Sequence, residues 1–197
     1  MKTYAPFSCI PLREENVFTH PPKLPEVVHL DSPALDVMTD FHYVQPVTVT
    51  PDVPIDEALD LMRSAGVRLL LVTEEADKAI GTITSKQILG EDPIRIVEEK
   101  RIPRSEITVR MLMTPQCNVT VINILNVRNA KVGHIVATLE HLNRKHLLVA
   151  EIDDETGGQY IRGIFSTSQI GRQLGVLVIP AMPAAQTLAE IHQKLDR

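Results

Sequence analysis

The chain has 197 residues, 44% of them hydrophobic and 23% charged, enough apolar material to bury a core and too much for a disordered or fibrous protein. Its 20 basic and 25 acidic side chains leave a formal charge of −5, which favours solubility and gives no general attraction to nucleic acid or anionic lipid. No stretch approaches the ~20 consecutive apolar residues of a membrane helix, the first residues lack the apolar run of a signal peptide, and two cysteines make neither a disulfide framework nor a zinc site, so a cytoplasmic protein with free thiols is expected.

Residues 1–33 hold six prolines and no hydrophobic period, and read as an extended arm. Residues 34–95 form a first unit. In it, residues 47–50 are β-prone, and Pro54 opens a helical stripe of Ile55, Ala58, Leu59, Met62 and Ala65 that closes at Gly66. Residues 69–73 and 79–84 read as a hairpin across a charged turn, followed by a short helix over 85–89. Residues 96–175 hold a mixed-charge connector and a second unit with the same order. Its strand is expected over 119–125, its helix on Val132, Ile135, Val136, Leu139 and Leu142, and its hairpin near 147–152 and 159–165, turning at Gly157-Gly158. Residues 176–197 form a tail whose stripe of Ala184, Leu188, Ile191 and Leu195 predicts a last helix able to dock on the core or on a second subunit.

The two units are copies. Val37-Met38-Thr39 and Leu112-Met113-Thr114 open them, a valine-threonine-valine triplet follows each, and R-L-L-L-V at 68–72 aligns with K-H-L-L-V at 145–149. G-T-I-T-S-K-Q-I at 81–88 aligns with G-I-F-S-T-S-Q-I at 163–170. The offset between copies grows from 72 at the triplet to 82 at this glycine, so the second copy carries insertions. Each copy is strand-helix-strand-strand-helix, too small to cover both faces of its sheet, and pairing the copies solves that problem. The fold class is therefore α/β (α+β).

The ordered series V-M-T, V-T-V-T-P-D, A-L-D-L-M, R-L-L-L-V and G-T-I-T-S-K-Q-I, occurring twice over about residues 35–175, resembles a tandem pair of cystathionine-β-synthase (CBS) domains. The resemblance implies two repeats packed about a pseudo-twofold axis, association into a homodimer, and a cleft between the repeats for an adenosine-type nucleotide such as AMP, ADP, ATP or S-adenosylmethionine. It implies nucleotide contacts from Thr84, Gln87, Ser166 and Gln169 at the ends of the units, from Arg68, Lys145 and His146 at the start of the second strands, and from Val47 and Val119 beside the base. Family members that bind adenosine ligands usually end each unit in an aspartate where this chain has Gln87 and Gln169.

That departure bears on the chemistry. A carboxylate matches two neighbouring ribose hydroxyls with two acceptor oxygens, whereas an amide offers one oxygen and a donor nitrogen. The hydroxyls of Thr84 and Ser166 fall at strand-to-helix turns, where they either cap the helix or favour a phosphate. The glutamines are either solvated or on a ligand, Arg68 and Lys145 either surface cations or phosphate partners, and Val47 and Val119 either core or base-binding.

His134 and His141 lie opposite the apolar stripe of their helix and read as solvated, and no motif of a hydrolase, nucleotide triphosphatase or metalloprotease occurs. The connector arginines are interleaved with Glu98, Glu99 and Glu106 and have no aromatic partner for nucleic acid. The sequence thus points to a non-enzymatic regulatory module that senses a nucleotide, requires no cofactor, and acts on an unidentified effector protein without nucleic acid or membrane. The alternative is a structural or interaction dimer with degenerate clefts.

Overall fold

The computed structural model describes residues 24–75, 78–153 and 155–176; the last helix expected near 184–195, and most of the proline-rich arm, lie outside the described residues. The elements follow in chain order as β1 (Thr39–Asp40), β2 (Thr48–Val49), α1 (Ile55–Ser64), β3 (Leu69–Thr73), β4 (Ala79–Thr84), α2 (Ser85–Leu89), α3 (Asp92–Lys100) and α4 (Val109–Leu112). They continue with β5 (Thr114–Pro115), β6 (Val121–Asn123), α5 (Ile124–Arg128), α6 (Val132–His141), β7 (His146–Ile152), β8 (Gln159–Ser166) and α7 (Thr167–Leu174). The fold is mixed α and β, with two four-stranded sheets of the same design.

Within each copy the local sequence decides the elements. The α1 helix starts behind Pro54, has Asp56 and Glu57 in its first turn and Arg63 in its last, and buries Ile55, Ala58, Leu59 and Met62 along one face. It stops at Gly66, whose φ of 67° is open to glycine; after α6 the same place is taken by Asn143 at φ 49°, asparagine being the other residue that tolerates this region. These helices carry the chain between parallel partners, β2 with β3 and β6 with β7, while β3–β4 and β7–β8 are antiparallel hairpins. Two stretches depart from the sequence reading. The run over 119–125 breaks at Asn123, whose side chain accepts a hydrogen bond from the Leu125 N–H (2.8 Å) and starts α5, and part of the mixed-charge connector is helical as α3.

The copies also exchange their first strands. The strand orders are β2-β3-β4-β5 and β1-β8-β7-β6, so β1 of the first copy completes the second sheet and β5 of the second copy completes the first. Thr39 stands opposite Ile164 and Asp40 opposite Gly163; Gly81 stands opposite Pro115 and Thr82 opposite Thr114. Both glycines are required by this approach. A Cβ on Gly81 would lie 2.4 Å from the Thr114 carbonyl oxygen, and one on Gly163 would lie 2.6 Å from that of Thr39.

The segments leading into the exchanged strands fill the other copy's core. Ala34, Val37 and Met38 pack with α6 and the fully buried Phe165, while Ile107, Val109 and Leu112 pack with α1, Leu70, Val72 and Ile83. Burying six such side chains contributes about 1.5–3 kcal/mol for each of the larger ones before entropy is subtracted. Backbone hydrogen bonds fix the register, including Ile55 N–H to Ile107 O (2.9 Å), Val109 N–H to Val53 O (2.9 Å) and Val132 N–H to Ser32 O (2.9 Å). Upstream, Val28 is buried in the second core, and the Gln173 side-chain amide donates to the carbonyls of Pro25 (2.6 Å) and Asp36 (3.0 Å).

Candidate functional site

The exchange brings the repeated threonine of each lead segment onto the glutamine at the end of the other unit. At the end of β4, Thr84 caps α2. The Gln87 side-chain oxygen accepts from the Thr84 N–H (2.9 Å) and from the Thr84 hydroxyl (2.7 Å), and the Thr84 oxygen accepts a long bond from the Gln87 N–H (3.4 Å). The Gln87 amide nitrogen donates to the Leu112 carbonyl (3.1 Å) and the Thr114 hydroxyl (3.1 Å), both on the exchanged segment. At the end of β8 the counterpart is simpler. The Thr39 hydroxyl donates to the Gln169 side-chain oxygen (2.9 Å), and Ser166 stands at the head of α7 without a capping side-chain bond. Gln87 and Gln169 are thus half-buried ties to the exchanged strands, a role that sequence reasoning missed. The signal for it is the recurrence of Thr39 and Thr114 at the same place in both copies.

A cleft of about 650 Å³ opens between the copies. Thr84, Gln87, Val119, Lys145 and His146 line it; Val47, Arg68, Ser166 and Gln169, their counterparts in the opposite copies, do not. The first copy supplies its strand-to-helix turn, held by the Ser85 N–H on the Arg68 carbonyl (3.1 Å), and the second copy supplies the start of β7. Sequence reasoning missed Lys86 and Arg144, which also line the cleft and are exposed, because single cations outside any pattern carry no signal.

Lys86, Arg144 and Lys145 form no ion pair with any described residue. Glu91 and Asp92 lie on the same lining, and Asp92 is paired with Arg95 at 2.6 Å. His146 is pulled down to about 4, first by burial and then by the positive charges of Arg68 and Lys145, so it is a neutral imidazole at physiological pH. A second cavity of about 570 Å³ beside β1 and the β7–β8 hairpin is different in character: its Arg162 is already engaged by Asp40 and by Glu151 (3.0 Å). Among the described residues no group of metal-ligating side chains is assembled, no helix is long and apolar enough to cross a membrane, and Cys117 is an exposed free thiol.

Comparison with known proteins agrees with this architecture. Residues 26–93 match the family model of the CBS domain. An uncharacterized conserved protein from Pyrococcus horikoshii is similar in structure, with a TM-score of 0.51 and 26% identity over 73% of this chain and 92% of that one. CBSX2 in complex with AMP is similar with a TM-score of 0.51 and 21% identity, over 72% of this chain and 94% of that one. No curated protein matches the chain significantly in sequence. The family match thus covers residues 26–93, essentially the first copy, and the chain with its two sheets of one design shares the fold of these solved structures.

Proposed function

We propose that this protein is a regulatory CBS-pair module that binds an adenosine-type nucleotide in the cleft between its copies and transmits the bound state to an effector protein. The observation that carries this reading is the cleft itself. It is lined by both copies, is large enough for a mononucleotide, and gathers Lys86, Arg144 and Lys145, none of them ion-paired with a described residue, against the carboxylates of Glu91 and the Arg95-bound Asp92, a balance that suits an anionic ligand. The solved complex of CBSX2 with AMP supports the choice of ligand class. A ligand bridging the copies acts on the same exchanged strands that hold them together, so binding and the relative stability of the two halves are coupled. The protein performs no chemistry on its ligand, works as a homodimer in the cytoplasm, and engages neither nucleic acid nor membrane.

A melting scan of the full chain with AMP, ADP, ATP and S-adenosylmethionine at millimolar concentration tests this reading, because a ligand that binds only the folded state stabilises it by mass action. At least one of these should raise the melting temperature, and Lys145→Ala should reduce the rise. The saturated hydrogen bonding of Gln87 favours a second reading, a structural dimer with a degenerate cleft. That reading predicts no shift with any of the four.

A further inference from the structure

The two exchanged strands do not cover their neighbours equally. In the first copy β4 begins at Ala79, β5 covers Gly81 and Thr82, and the single turn at Gln116–Asn118 that follows β5 lies against β4. In the second copy the hairpin is longer. Its β8 begins at Gln159, β1 covers only Gly163 and Ile164, and the Phe41 N–H donates to the Arg162 carbonyl (3.0 Å) before the chain turns away. The outer edge of β8 over residues 159–161 therefore has no strand beside it among the described residues. Sheet edges are ordinarily blunted by charge, proline or a covering element, whereas this one is flanked by apolar and aromatic side chains. Tyr43 and Val44 on the turn after β1, and Ile152 and Tyr160 on the hairpin, are exposed. The cavity of about 570 Å³ at this edge has Phe41, Ile152, Tyr160 and Ile161 in its wall. Tyr160 stands on one face of the hairpin and Ile152 and Ile161 on the other, so the cavity reaches both faces of the edge.

The charges at this edge are unequally engaged. Arg162 is held by Asp40 and by Glu151 (3.0 Å), and Glu151 also pairs with Arg128 (3.6 Å). Asp153 has no ion pair among the described residues: one carboxylate oxygen accepts from the N–H groups of Glu155 and Thr156 (both 2.8 Å), which leaves the other to face a partner. Resting on the reading that the module acts on an effector protein, we propose that the effector docks here as an extended segment, adding a strand to the outer edge of β8 over residues 159–161. Its apolar side chains, on alternate positions, meet Tyr160 on one face and Ile152 and Ile161 on the other, and a lysine or arginine faces Asp153. Main-chain hydrogen bonds supply affinity, and the cavity and its carboxylate supply the choice of segment. This surface shares no lining residue with the cleft between the copies.

Selection from a random dodecapeptide library displayed on phage, with the full chain as bait, tests this proposal. The enriched peptides should alternate apolar residues and carry net positive charge. Tyr160→Ala and Ile152→Ser, both at exposed side chains and so expected to leave the melting temperature nearly unchanged, should each weaken the tightest of these peptides by about tenfold. The bound peptide should also slow amide hydrogen exchange within residues 159–161. Enriched peptides that are acidic, or that bind both variants undiminished, would overturn the proposal and leave the effector reading standing. No enrichment would overturn it too, and would confine that reading to folded partners. Amides of residues 159–161 that are all protected in the chain alone would show the edge to be covered already, by its own chain if the protection survives dilution and by a second copy if it does not. Either result would overturn the proposal.

Discussion

The two ends where an exchanged strand meets a unit's last helix begin from nearly the same sequence and finish with different hydrogen bonding. In the first copy Thr84 caps α2, and Gln87 closes the box back onto Thr84 and ties down Leu112 and Thr114; in the second copy Gln169 accepts a single side-chain bond from Thr39 and Ser166 caps nothing with its hydroxyl. The glycine beside each tie is under the same constraint, with 2.4 Å and 2.6 Å separating a hypothetical Cβ from the neighbouring carbonyl. Strand exchange is therefore the common element, fixed by backbone sterics, and the polar closure is where the copies diverge. A duplicated motif does not guarantee a duplicated site: how far its side chains are satisfied internally determines what remains for a ligand.

The largest expected effect falls on what the copies share. Gly81→Ala and Gly163→Ala each press a methyl group against the backbone of an exchanged strand, which must move. Each should destabilise by about 2–4 kcal/mol in chemical denaturation. If one substitution is silent, strand exchange is not steric at that end and the equivalence fails.

Next comes the difference between the glutamines. Gln87→Ala breaks both side-chain bonds to the exchanged segment and should cost about 2–3 kcal/mol, against about 1 kcal/mol for Gln169→Ala. Gln87→Asp should behave like the alanine variant, because a carboxylate cannot donate to the Leu112 carbonyl. Equal losses at the two positions would erase the asymmetry.

The third expected effect is a pH dependence. In the unfolded chain an imidazole takes up its proton near 6.5, whereas folded His146 resists protonation until about 4. Its contribution to stability is thus complete above 6.5 and declines as the pH falls from 6.5 to about 4. Melting temperatures across that window should slope less steeply for His146→Gln than for the unaltered protein. An unchanged slope would mean that burial, with the neighbouring charges of Arg68 and Lys145, does not hold this imidazole neutral.

Much of the architecture is legible in the sequence, because β3, β4 and α2 are bounded by local chemistry: apolar runs, a charged turn, and a threonine followed by a glutamine three residues on. The duplication likewise foretells two sheets of one design. The exchange does not show, since Val37-Met38-Thr39 carries the same local pattern whichever sheet it joins, and the pairing of Thr39 with Ile164 is a long-range choice. The α5 helix hides in an apolar run whose only signal is Asn123, and α3 hides because its charges blur the helical stripe. In the cleft, Lys145 and His146 are visible through the repeat, while Lys86 and Arg144 become site residues only once the two copies are brought together.

A crystal structure of the complex with AMP tests most directly whether the cleft binds a nucleotide while Gln87 stays bound to the exchanged strand. The account predicts the nucleotide between the copies, its phosphate within hydrogen-bond distance of Lys145 and at least one of Lys86 and Arg144, and the Gln87 amide still on the Leu112 carbonyl and the Thr114 hydroxyl. Ribose hydroxyls on the Gln87 side chain, with the phosphate pointing away from these cations, would contradict it.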